Sequence, residues 1–213
     1  IASKVMMLEP SDSSECKEFA KAAFDLSEQF DTPVIVRLST RVSHSQSAVE
    51  LCDREEHELA EYKKNPQKFV MMPGNAIRRH PAVEERMRAI AEYAETSPLN
   101  RLEINDTGIG VITSGAAYQY AKEALGTKAS YLKLGIVNPL PENIIREFAS
   151  RCETVYVIEE LDDIIEAHCV RIGLRPIGKQ LFPRCGEFSQ KLVRELILGE
   201  KAEGSAIELN TPV

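Results

Sequence analysis

The stretch from Gly108 to Asp163 reads GIGVITSGAAYQYAKEALGTKASYLKLGIVNPLPENIIREFASRCETVYVIEELDD, and its alternation decides the fold. Three short segments, residues 109–112, 129–134 and 154–158, read as strands. Between them apolar residues recur at helical spacing: Ala117, Tyr120, Ala121, Ala124 and Leu125 in one segment, Ile144, Ile145, Phe148, Ala149 and Cys152 in the next. The spacing predicts helices over 114–125, 141–151 and 163 to about 174, and a last one over 187–198 stopped by Gly199. Strand and helix alternating in this way make an α/β fold, a parallel sheet from about residue 101 with right-handed crossovers and helices on both faces. The three strands should be adjacent.

Upstream, Val5-Met6-Met7-Leu8 is a strand-like run, and Cys16, Phe19, Ala20, Ala23, Phe24 and Phe30 form a helical stripe that Asp12 or Ser13 would cap. Val34-Ile35-Val36-Arg37-Leu38 follows Pro33, completing a strand-helix-strand unit. One helix cannot cover both faces of so apolar a strand, so another surface is expected against Val34, Ile35 and Val36. Residues 45–100 read as a charged, Pro-punctuated connector. It holds one helix, opened by His80-Pro81 and carrying Val83, Met87, Ile90, Ala91 and Ala94. The acidic run around Glu55, including His57, reads as a solvated face. The expected division is therefore 1–44, 45–100 and 101–213.

Composition narrows the function classes. The chain has 213 residues, 43% of them apolar and 28% charged, which is the balance of a globular protein able to bury its own core. Its net charge of −7, without an obvious phosphate-tracking stripe, argues against nucleic acid. No apolar run approaches the roughly 20 residues of a membrane span, and no signal peptide is read at the start, so a cytoplasmic location is expected. Five cysteines without a C-x-x-C pair read as reduced thiols, Cys152 and Cys169 as small buried hydrophobes. The chain opens at Ile1, not Met, and reads as part of a larger polypeptide.

Ligands of open parallel sheets bind beyond the carboxyl ends of the strands. After the first strand of the main sheet, Thr113-Ser114-Gly115 could hold an anion with hydroxyls and helix-start amides, although an ordinary cap is the simpler reading. After the second, Gly135 to Pro141 should turn the chain sharply. After the third, Glu159-Glu160-Leu161-Asp162-Asp163 could bind Mg²⁺ or act as acid and base, with capping by Asp162 or Asp163 again simpler. Gly108-Ile109-Gly110 precedes its strand and is no dinucleotide fingerprint. His44, His57, His80 and His168 are scattered, and no residue emerges as catalytic or metal-ligating from spacing alone.

Particular strings go further. Met7-Leu8-Glu9-Pro10-Ser11-Asp12-Ser13, Phe30 to Arg37, Thr40-Arg41-Val42-Ser43-His44-Ser45 and Arg79-His80-Pro81 resemble the alpha subunit of indolepyruvate ferredoxin oxidoreductases. Ile112-Thr113-Ser114-Gly115, Leu132 to Gly135, Pro139-Leu140-Pro141 and Val157 to Asp162 resemble the middle domain of the wider 2-oxoacid ferredoxin oxidoreductase family. The resemblance implies that residues 1–44 end a pyrimidine-binding thiamine domain, that 45–100 connect, and that 101–213 form a transketolase-C-like domain. It implies oxidative decarboxylation of an aryl pyruvate to an acyl-CoA, with thiamine diphosphate, Mg²⁺, iron–sulfur clusters and coenzyme A in the intact enzyme. Its partners would be a beta subunit and ferredoxin, with a second copy of the chain as another candidate. Neither a G-D-G motif followed by Asn nor a cysteine-rich cluster motif is present, so the fragment itself should bind neither thiamine diphosphate nor iron and should not turn over. The resemblance also places Arg41, Ser43 and His44 near substrate or cofactor: a guanidinium can grip a carboxylate bidentately, and an imidazole, with an ordinary pKa of ~6.5, can move a proton. The simpler reading has Arg41 pair with a local acid at the domain junction. Two alternatives stand beside this function: a pyruvate or other 2-oxoacid oxidoreductase, and a non-catalytic protein-docking module.

Overall fold

Two sheets organise the computed structural model, which describes residues 3–54, 56 and 61–200. Part of the acidic run with His57, and residues 201–213, fall outside the described residues. The larger sheet has the order β3 (Arg101–Glu103), β5 (Ser130–Leu134), β4 (Ile109–Ser114), β7 (Thr154–Ile158). The central strand β4 pairs in parallel with both β5 and β7, as the alternation requires. The edge strand β3 departs from the expected all-parallel sheet by running antiparallel to β5, with Leu102 opposite Leu132. Its three residues cover the open edge of β5 while carrying two charges, a common way of blunting a sheet edge.

Alternate residues of the central strands face opposite layers. Val111, Tyr131 and Ile158 pack against Ala117, Ala121 and Leu125 of α5 (Gly115–Leu125) and Val193 of α8 (Gln190–Leu198). Ile112, Leu132, Leu134 and Val157 pack against Ile145 and Phe148 of α6 (Asn143–Arg151) and Ile165 and Cys169 of α7 (Ile164–Arg171). Burial on both faces is why these strands read as predominantly apolar runs. Cys169 is fully buried and its thiol is pushed up to about 12 by desolvation.

The smaller sheet has the order β2 (Val34–Val36), β1 (Met6–Leu8), β6 (Ile136–Asn138). Strands β1 and β2 are parallel and joined by α1 (Ser13–Phe30), whose cap is the side chain of Asp12, accepting from Glu15 N at 2.9 Å. Residues 135–141 do more than turn. They carry β6, which leaves the large sheet and pairs antiparallel with β1. Gly135 allows the crossing, because a Cβ there would lie 2.1 Å from the Leu99 carbonyl oxygen. The Asn100 side chain then accepts from the amides of Gly135 and Ile136.

The connector helix also differs from expectation. It is α4 (Pro73–Thr96), with Pro73 in its first turn and Pro81 inside it. The backbone bond that Pro81 deletes would have gone to the carbonyl of Ile77, a residue 75% exposed, where water can replace it. Farther along, Met87, Ile90 and Ala94 complete a third core with Met6, Leu8, Phe19 and Ile136. Two short helices, α2 (Thr40–His44) and α3 (Pro66–Phe69), had no periodic signal. Strand β2 stops at Val36, short of the expected Leu38, and is an edge strand among the described residues: Ile35 is 39% exposed and Leu38, beyond the strand, 47%.

One buried ion pair ties the halves together. Lys133 of β5, fully buried, bonds to Glu15 of α1 and lies over the Phe19 ring. The same carboxylate accepts from the backbone and hydroxyl of Ser11, both at 2.8 Å, and from Arg101 at 2.8 Å. Burial pulls the Lys133 ammonium below its ordinary value, against the opposing pull of Glu15. Lys133→Ala is expected to cost about 3 kcal/mol in urea unfolding, because it strands a buried carboxylate, whereas Lys133→Met with Glu15→Gln should recover most of that loss. Equal losses in both variants would refute the electrostatic account.

Candidate functional site

Strand ends from both sheets converge. Beyond the carboxyl ends of β1, β2, β4 and β7, Glu9, Arg37, Ser114 and Glu159 line a cleft of about 400 Å³, walled by Met7, Ala116, Val137 and Ile165. Parallel sheets place ligands in this position.

Glu9 is buried at its centre. Its Oε1 lies 3.0 Å from Arg37 Nη2, and its Oε2 accepts from the Ser114 hydroxyl at 2.8 Å. Gly115 makes room for that carboxylate: its φ is +52°, and a Cβ would stand 2.8 Å from Glu9 Oε1. Thr113 donates to the Ile158 carbonyl at 2.7 Å. Of Thr113, Ser114 and Gly115 only Ser114 lines the cleft, Thr113 is fully buried in β4, and both hydroxyls are engaged by the protein itself. Ser114 holds the cap position of α5 without a capping hydrogen bond.

On the opposite wall, Glu159 rather than Asp162 or Asp163 caps α7. Its oxygens accept from Ile165 N at 2.8 Å and Glu166 N at 2.9 Å. Burial raises the Glu159 carboxyl, and those two amides work against the rise. Asp163 instead pairs with Arg184 at 2.8 Å, and Asp162 lies 3.8 Å from the same guanidinium. Leu161, at the rim, holds a left-handed φ of 62° that disfavours a branched side chain.

Arg41, Ser43 and His44 sit on α2, which begins just after Ser39 leaves the rim and is capped by that serine at 3.3 Å. Arg41 pairs with Glu187, and the charges of Tyr120 and Glu160 reinforce its protonated form. Ser43 and His44 are exposed. Glu9 and Arg37, which pair at the cleft, were absent from the residues expected to form a site. Their signal is positional: each follows the carboxyl end of one of two parallel strands, the same criterion that selected Thr113 to Gly115.

The cleft does not suit a diphosphate. Glu9, Glu159, Glu160 and Asp162 line it against Arg37, so a polyanion would meet an excess of carboxylates. Among the described residues no three His, Cys, Asp or Glu side chains gather as a metal site, and Cys16, Cys52, Cys152, Cys169 and Cys185 are free. No helix among them is long and apolar enough to cross a membrane.

Residues 1–104 match the family described as pyruvate flavodoxin/ferredoxin oxidoreductase, thiamine diphosphate-binding. The chain is 37% identical over 181 residues to indolepyruvate oxidoreductase subunit IorA of Archaeoglobus fulgidus, covering 83% of this chain and 29% of that subunit. It is 36% identical over 207 residues to the IorA of Methanothermobacter thermautotrophicus, covering 91% and 34%. The chain thus spans about a third of the length of these curated relatives. In fold it is similar to a 2-oxoglutarate:ferredoxin oxidoreductase from Magnetococcus marinus solved with 2-oxoglutarate, coenzyme A and succinyl-CoA, at a TM-score of 0.61, 15% identity, and coverage of 91% of this chain and 42% of that one. The α/β fold read from the alternation, and the strand-helix-strand before it, are borne out by the elements described above and by this likeness.

Two expectations follow from the geometry. Gly115→Ala should lower stability by about 1–3 kcal/mol and loosen the Arg37–Glu9 pair, since it sets a side chain in a left-handed position against the carboxylate; an unfolding midpoint unchanged by the substitution would contradict this. His168, on α7, is buried with Nδ1 2.8 Å from Arg171 Nη2, and desolvation lowers its pKa. The unfolded chain therefore takes up this proton first as pH falls below ~6.5, so the His168 contribution to stability is present above that pH and is lost below it. Glu159, with its raised pKa, works in the opposite sense. Wild type minus His168→Leu should accordingly lose relative stability from pH 7 to pH 5; a pH-independent difference would rule out the buried neutral imidazole.

Proposed function

We propose that this chain is part of the alpha subunit of a 2-oxoacid ferredoxin oxidoreductase acting on an aryl pyruvate such as indolepyruvate. The observation that carries the reading is similarity to IorA subunits over 83–92% of the chain. The reaction would convert the 2-oxo acid and coenzyme A to an acyl-CoA and CO₂, passing two electrons to ferredoxin, with a beta subunit completing the assembly. Thiamine diphosphate, coenzyme A and iron–sulfur clusters would be held by other parts of that enzyme, because the acidic cleft repels polyanions and the scattered cysteines do not gather as cluster ligands, and Mg²⁺ would accompany the diphosphate there. We assign residues 1–44 to the end of the pyrimidine-binding domain, 45–100 to a connector and 101–213 to the transketolase-C-like domain. A cytoplasmic setting agrees with the chemistry. Relatedness to a 2-oxoglutarate synthase subunit KorA of Archaeoglobus fulgidus, 24% identical over 92% of this chain and 61% of that subunit, keeps a second 2-oxo acid as the alternative substrate.

Within this reading the chain supplies scaffold, subunit contacts and one wall of the reaction centre. Arg41, Ser43 and His44 are its substrate-proximal residues: Arg41 would exchange Glu187 for the carboxylate of the 2-oxo acid, and His44 would carry a proton. In the intact enzyme, Arg41→Lys should lower kcat/KM for indolepyruvate at least tenfold, because Lys keeps the charge and loses the fork. If Arg41→Lys and His44→Ala stay within twofold of wild type while the unfolding midpoint drops, the segment is a junction. Preference for pyruvate or 2-oxoglutarate over indolepyruvate would replace the substrate assignment.

A further inference from the structure

Two carboxylates and one guanidinium meet at the rim of the cleft. Glu160 lines the cleft, and its Oε1 accepts from the Phe188 amide at 3.1 Å. Phe188 is buried in the large-sheet core, its ring 5.9 Å from that of Phe182, so the turn that carries Glu187 is anchored beside Glu160. Glu187 in turn pairs with Arg41 of α2, and both side chains are more than half exposed. The Tyr120 phenol of α5, raised by burial and next by Glu160, also senses Arg41 and Glu187, which puts the four groups in one neighbourhood. The other charges of the cleft are already answered. Glu9 holds Arg37 at 3.0 Å, two α7 amides donate to Glu159, Arg184 lies 3.8 Å from Asp162, and the Lys179 ammonium bonds to the Glu159 carbonyl. Arg41 thus stands with two acids at the mouth of a cleft whose walls, Met7, Ala117, Val137, Ile164 and Ile165, are apolar.

We propose that Glu160 and Glu187 are specificity residues that restrict this site to 2-oxo acids bearing a single carboxylate on an uncharged, apolar body. The inference rests on the reading of Arg41 as the substrate-proximal cation. An exposed ion pair is weak and screened, so a ligand carboxylate can take the place of Glu187 on Arg41 with little loss. The body of the ligand then enters the cleft of about 400 Å³, where the walls favour an aliphatic or aromatic group. A second carboxylate there would meet Glu160 and the displaced Glu187, with the one guanidinium already engaged and the neighbouring cations held by other acids. Discrimination thus has a repulsive element as well as an attractive one. A dicarboxylic 2-oxo acid is rejected by charge, not by size.

The test uses the assembled enzyme and two unreactive probes that lack the 2-oxo group, indole-3-propionate and glutarate, with binding read by calorimetry. Wild type should bind indole-3-propionate, and glutarate at least about tenfold more weakly, and the preference should narrow as salt is raised from about 0.05 to about 0.5 M. Glu160→Gln keeps an acceptor for the Phe188 amide, so the unfolding midpoint should hold. In that variant glutarate should bind at least about fivefold more tightly while indole-3-propionate stays within about twofold. Glu187→Gln should strengthen indole-3-propionate by about two- to fivefold, because Arg41 loses its resident partner, and glutarate by more. Glutarate that binds Glu160→Gln no better than wild type overturns the proposal. So do an equal gain for both probes in that variant, affinities unmoved by Glu187→Gln, a wild-type preference independent of salt, and a wild type that binds neither probe. The function reading fails separately, if no 2-oxo acid reduces ferredoxin; reduction by 2-oxoglutarate as readily as by indolepyruvate leaves the family reading standing and sinks the proposal.

Discussion

The Glu15 carboxylate is the group on which the arrangement of the two sheets depends. It belongs to α1 of the first half, yet two of its cationic partners, Lys133 and Arg101, belong to the second. A lysine in the middle of a strand whose every residue is buried is costly to desolvate, and it is retained only with a partner at hand. Phe19, one turn along α1, adds its ring face to the ammonium. A buried pair of this kind contributes less to net stability than an apolar contact of the same size, but it admits few alternative registers: sliding α1 along β5 by one turn would leave both charges without partners. The apolar core of Met6, Leu8, Phe19, Ile90 and Ile136 then closes around a geometry that the charges select.

That geometry makes the cleft. With α1 fixed on β5 and β6 paired with β1, the carboxyl ends of β1 and β2 face those of β4 and β7. Glu9 stands within reach of Ser114 only because of this placement, and Gly115 lacks the atom that would block it. A cleft formed between two units has chemistry that neither strand-end sequence announces alone. Ser114 looks like a helix cap and serves instead as a donor across the junction.

This explains what was legible in the sequence. The runs at 109–112, 129–134 and 154–158 could be read because strands buried on both faces are mostly apolar, Lys133 being the paired exception, and the helices between them repeat at their own period. Asp12 was legible as a cap because capping is local. The antiparallel β3, the three-residue β6 and the Glu159 cap were not, since each depends on a partner distant in sequence or outside any periodic window. Pro81 misplaced the start of α4 because a proline inside an exposed helix gives the same signal as one at its first turn. Among the site residues, strand ends marked Thr113 to Gly115, while Glu9 and Arg37 required knowing that β1 and β2 point into the same space.

The two halves also differ in how complete they are. The large sheet is covered by α5 and α8 on one face and by α6 and α7 on the other, with its apolar side chains satisfied inside the chain. Among the described residues the small sheet ends at β2, with Ile35 and, beyond the strand, Leu38 exposed. Exposed apolar surface beside an open strand edge is costly in water and prone to uncontrolled pairing. The large sheet thus stabilises itself and holds one wall of the cleft, whereas the small sheet leaves apolar side chains in contact with solvent. The match of residues 1–104 to a thiamine diphosphate-binding family falls on the half with the more exposed apolar side chains.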